Sequence, residues 1–145
     1  MPRATFTHRA AAGAAPDEVW NALQEAGTWA NIGPVEQVSR PEIDAVGNLK
    51  GFRWQTTVAA RSYPGTARVR VAEPGRRMVL DLDTSEITGS LETNLAPNGD
   101  GTTLVTVTLE VVSRGTLSTL FFPMVSQAIA RGLPAQVNQF AASLS

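Results

Sequence analysis

The chain has 145 residues, 43% of them hydrophobic and 17% charged, and its net charge is −1. That length allows one domain with a true core, and that charge offers no electrostatic case for nucleic acid or an anionic membrane. Cysteine is absent, which excludes disulfides, thiolate metal sites and a cysteine nucleophile.

Residues 3–12 alternate weakly between apolar and polar and read as a first strand. The N-terminal stretch lacks an apolar core of signal-peptide length, and no window approaches the roughly 20 apolar residues of a membrane span. A cytoplasmic protein without stable membrane insertion is therefore expected.

Pro16 suits the first turn of a helix, with Asp17 and Glu18 well placed against its dipole. Val19, Trp20 and Leu23 give this helix an apolar stripe. Gly27 reads as its stop and Thr28 as the N-cap of a second, very short helix that carries Trp29 and Ile32. Gly33-Pro34 ends that one.

From about residue 35 to 113 the period changes to two. Phe52–Val58, Ala67–Val71, Met78–Asp83 and Leu104–Val111 alternate. Turn signals at Tyr63-Pro64-Gly65, Glu73-Pro74-Gly75 and Pro97–Gly101 separate them, which predicts an antiparallel meander with one wet face. Parity sorts the strand residues. One face collects Trp54, Thr56, Val58, Val69, Val71, Met78, Leu80, Leu82, Leu91, Thr93, Val105, Val107, Leu109 and Val111. The other collects nearly all the charge, including Arg68 and Arg70 on the strand next to the one with Asp81 and Asp83. Cross-strand ion pairs on a solvated face are expected there, rather than carboxylates tuned for acid–base work.

After Gly115 the period returns to helical. Leu117, Leu120, Phe121, Met124, Val125, Ala128, Ile129, Leu133, Val137, Phe140 and Leu144 form a wide apolar stripe. Pro123 suits a helix start, and Pro134 is expected to kink or split the helix.

Few residues offer catalytic chemistry. His8 shares a face with Phe6, and a neutral imidazole turned inward can serve as a base. It has no His or Cys companion, so no metal site is expected. No Gly-rich phosphate loop and no nucleophile–base pair is present, and no cofactor is implied.

The order strand, two short helices, meander and long C-terminal helix, with Ala15-Pro-Asp-Glu-Val-Trp-Asn-Ala-Leu23 and Glu73-Pro-Gly-Arg-Arg-Met-Val-Leu80, resembles the START/Bet v 1-like (SRPBCC) superfamily. In particular it is similar to small bacterial members of the polyketide cyclase/dehydrase or lipid-transport type. The resemblance spans residues 1–145 as a single domain. It implies an α+β helix-grip fold: a curved seven-stranded antiparallel sheet around a long C-terminal helix, with an apolar cavity between them.

Three functions compete on these grounds. The first is binding or carriage of a small hydrophobic molecule such as a lipid, isoprenoid or polyketide-like compound. Its contacts would be Trp29, Ile32, Trp54, Thr56, Met78, Leu80, Leu91, Thr93, Val107, Phe121, Met124, Val125 and Ile129, with the two threonines orienting the ligand. Plain core is the rival role for each. The second is a cyclase, aromatase or dehydratase using His8 or Tyr63 as acid–base group. The third is a regulatory protein of the stress or toxin–antitoxin kind, which only analogy supports. Within the opening helices, Trp20 is expected to be a core wedge and Trp29 to sit at the cavity entrance.

Overall fold

The computed structural model describes residues 2–144. Its strands are β1 (Arg3–Ala12), β2 (Gln37–Ile43), β3 (Leu49–Val58), β4 (Arg61–Glu73), β5 (Arg77–Thr84), β6 (Ile87–Pro97) and β7 (Thr103–Ser113). Its helices are α1 (Pro16–Leu23), α2 (Thr116–Leu120) and α3 (Phe122–Ala142), with a single 3₁₀ turn at Ala26–Trp29. The strands form one antiparallel sheet in the order β1-β7-β6-β5-β4-β3-β2. Strands 2 to 7 are thus a meander of hairpins, and β1 closes beside β7. This is the helix-grip arrangement, with α3 packed chiefly along β1.

Cross-strand register turns the alternation into layers. Phe6, Leu109, Leu91, Leu80 and Val69 stand in one row across five strands. His8, Val107, Thr93 and Met78 form another. These rows face α3, whose buried positions Phe122, Ile129, Leu133, Val137 and Ala141 recur at helical spacing. The outward rows carry the ion pairs Arg70–Asp81, Arg77–Glu92 and Arg114–Asp83. Arg70 meets Asp81 as the charge pattern predicts. Asp83 is taken instead by Arg114, because Thr66 and not an arginine stands opposite it.

Several local expectations are corrected. The β3–β4 turn is not Tyr63-Pro64-Gly65 but Ala59-Ala60, both with left-handed backbone (φ +51° and +63°). Tyr63 lies inside β4 opposite Thr56. Gly65 serves clearance, since a Cβ there would stand 2.7 Å from Trp54 Cε2 and from Thr84 Cγ2. The register slips between Val69 and Val71, so Arg70 is the extra residue of a bulge and Val71 opposes Val79 on the outward side. The inward assignment of Val71 is therefore overturned.

The C-terminal segment breaks at Phe121 (φ −102°, ψ 13°), not at Pro134. Pro123 does stand in the first turn of α3, and the helix continues through Pro134. Pro134 has no N–H for the Ala130 carbonyl, but Ala130 is exposed and water can replace that bond. The break shifts the phase of the stripe. Phe122 is buried where Phe121 was expected, and Leu120 and Met124 stand 70% and 64% exposed.

The turn after α1 also differs from expectation. Gly27 and Thr28 both lie within the 3₁₀ turn, so neither is the stop or cap predicted. Instead the Thr28 hydroxyl donates to the Ala22 carbonyl at 2.6 Å, and the Trp29 indole N–H donates to the Leu23 carbonyl at 3.1 Å. The indole bond serves a carbonyl at the frayed end of α1, while the Ala22 carbonyl also accepts the Glu25 N–H at 3.2 Å.

Candidate functional site

The space between sheet and helix is where a ligand site is expected, and most predicted contacts do face it. Trp54, Thr56, Met78, Leu80, Leu91, Thr93, Val107 and Ile129 are all buried. Phe121 and Val125 are half-buried, and Met124 points to solvent. Trp29 and Ile32 are buried, with Trp29 only 1% exposed and held by its bond to Leu23. Trp29 is thus a core residue, as Trp20 is, and not an open entrance.

The segment after the 3₁₀ turn enters this space. Ile32, Pro34 and Val35 are buried, and Gly33 approaches the middle of β7. A Cβ on Gly33 would lie 2.5 Å from Leu109 Cδ2. From the other side, Gly33 N–H donates to Gln136 Oε1 of α3 at 2.9 Å. The loop is stitched by an Asn31 N–H bond to the Val35 carbonyl at 2.6 Å, and it requires positive φ at Asn31 and Gly33. Residues 31–35 therefore form a plug wedged between Leu109 and Gln136. Sequence reasoning took Gly33-Pro34 as a terminator. The glycine was the available signal, but its long-range partners Leu109 and Gln136 leave no local trace.

Among the described residues two buried side-chain polar atoms have no hydrogen-bond partner, Trp54 Nε1 and Thr93 Oγ1. Leaving such a group unpaired costs about 1–3 kcal/mol. They are far apart. Trp54 stands level with Thr84 at one end of β5, while Thr93 stands opposite Met78 at the other. The six residue steps from Met78 to Thr84 span about 20 Å.

His8 lies at the seam of β1 and α3, where its Nε2–H donates to Asn138 Oδ1 at 3.0 Å. It belongs to the same row as Thr93, two strands away, or about 10 Å. Tyr63 is half-buried at the far tip of the β3–β4 hairpin, so the two acid–base candidates are not brought together. Asn138 was not anticipated, because its role depends on the packing of α3 along β1.

No helix among the described residues is long and apolar enough to cross a membrane. No curated protein matches the chain. Solved structures do resemble it. A START superfamily protein from Mycobacterium smegmatis aligns with a TM-score of 0.72 at 10% identity, covering 97% of this chain and 99% of that one. The Zhui aromatase/cyclase from a Streptomyces species aligns with a TM-score of 0.72 at 17% identity, covering 97% and 92%. Norcoclaurine synthase from Thalictrum flavum aligns with a TM-score of 0.53 at 13% identity, covering 94% and 87%. At such identities the likeness speaks for the fold. Residues 3–144 match a family model described as polyketide cyclase/dehydrase and lipid transport, and the chain belongs to that family.

Proposed function

We propose that the protein binds a small, elongated hydrophobic molecule, of the lipid, isoprenoid or polyketide kind, between the sheet and α3. The observation that carries this reading is the pair of orphaned buried polar atoms, Thr93 Oγ1 and Trp54 Nε1, beside a mainly apolar interior. Buried polar groups in folded proteins are nearly always paired. A ligand with a polar group near Thr93 and another near Trp54 would satisfy both, and its apolar body would lie along Met78, Leu80 and Leu91. Entry requires the plug at 31–35 to give way. Its holding bond to Gln136 is a single neutral hydrogen bond, worth about 1 kcal/mol.

The test is extraction of the purified protein with organic solvent and mass spectrometry of the extract. One hydrophobic compound per chain supports the reading. An empty extract, with no saturable binding of fatty acids or isoprenoids followed by tryptophan fluorescence, contradicts it.

One arrangement favours chemistry as well as binding. The His8–Asn138 pair fixes an imidazole at the edge of Thr93's row, which suits a cyclase or dehydratase step on a ligand that reaches the seam. Turnover that survives His8→Gln would remove that reading, while binding would stand.

A further inference from the structure

The outward face of the sheet carries a cluster of arginines. There, a groove of about 380 Å³ runs over β2, β3 and β4. Three of its lining side chains are arginines: Arg40, Arg53 and Arg68. Elsewhere on this face Arg70, Arg77 and Arg114 each hold a carboxylate. Among the described residues none of Arg40, Arg53 and Arg68 has an ion pair, and Glu42, which also lines the groove, has none either.

The register brings the arginines close. Arg53 opposes Thr66 and Arg68 opposes Gly51, so the two are diagonal neighbours, about 7–8 Å apart at the backbone. Gly51 contributes no side chain between them, and a Cβ there would be 2.5 Å from the Ala67 carbonyl oxygen. Arg40 joins from the irregular stretch between Ser39 and Glu42, where its backbone turns left-handed at φ +48°. Like charges at this spacing repel; Glu42 is the unpaired carboxylate of the groove, and Asp81, which stands opposite Arg68, is bonded to Arg70. The groove runs into a larger one of about 710 Å³, with Arg53 and Thr66 common to both.

We propose that this face binds the phosphoryl group of a small soluble phosphomonoester. Arg40, Arg53 and Arg68 take the dianion over the bare backbone of Gly51, and the organic part lies in the neighbouring groove over Pro64 and Gln55. Planar guanidinium forks match phosphate oxygens bidentately, which favours phosphate over a spherical anion such as chloride. The three arginines take no part in the interior contacts, although Trp54 borders the neighbouring groove.

Calorimetric titration of the full chain with phenyl phosphate at low ionic strength tests this. The expected result is saturable binding at one per chain, weakened about tenfold by Arg53→Gln and again by Arg68→Gln, with Arg131→Gln on α3 unchanged. Both altered side chains are exposed, and circular dichroism confirms that the variants fold. No saturable binding, or equal binding by the Arg53→Gln/Arg68→Gln double variant, overturns the proposal. So does binding to phosphatidylglycerol vesicles without binding of phenyl phosphate.

Discussion

Gly33 lies against Leu109 so closely that a Cβ on it would stand 2.5 Å from Leu109 Cδ2. The contact joins the loop after α1 to the centre of β7, and it occupies space proposed for the interior ligand. Gly33→Ala adds that Cβ at a positive φ of 58°. Chemical denaturation is expected to show a loss of about 1–3 kcal/mol. An unchanged midpoint would mean that the loop does not sit on Leu109.

The bond from Gly33 N–H to Gln136 Oε1 holds the same loop from the helix side. Gln136→Ala is expected to raise amide exchange across residues 31–35 while costing only about 1 kcal/mol overall. Protection unchanged at those amides would show that Gln136 is not the latch.

Thr93→Val removes a buried hydroxyl that has no partner and keeps its shape. The ligand-free protein is expected to gain up to about 1 kcal/mol, and affinity for the interior ligand is expected to fall by a similar free energy. A variant that loses stability without ligand would show that the hydroxyl is bonded after all, to water or to protein.

The hairpin at Ala59-Ala60 places two alanines in left-handed backbone, a conformation that Asn-Gly adopts far more readily. Replacing the pair with Asn-Gly is expected to raise stability by about 1 kcal/mol. This turn also marks a limit of sequence reading. Nothing in two alanines signals it, whereas Pro64-Gly65 gives a turn signal and is used for a strand. Pro64 faces outward there, and Gly65 clears the Trp54 ring. The periodicities of Val19, Trp20 and Leu23 and of β3, β5 and β7 were legible because each depends on local geometry alone. The bulge at Arg70, the break at Phe121, the Asn138 partner of His8 and the plug on Leu109 depend on packing between distant segments.

Arg77 and Asn94 both donate to the Glu92 carboxylate, the arginine at 3.0 Å, and the Arg77 bond is the larger cause of its lowered pKa. A carboxylate depressed in the folded state adds stability above its unfolded pKa and loses it as pH falls through the folded one. Stability profiles of the native chain and Glu92→Gln are therefore expected to differ at neutral pH and to converge as pH drops below about 4.3, the ordinary glutamate value. A constant gap across that range would assign the difference to packing.

The proposed ligand is an elongated apolar molecule held in the interior in place of the plug. The most direct measurement is native mass spectrometry of the protein purified from its own host, paired with hydrogen exchange before and after solvent extraction. The expected result is a bound hydrophobic compound at one per chain, and exchange at residues 31–35 that changes when it is removed. Protein of bare chain mass, with the same protection at residues 31–35 before and after extraction, would contradict it.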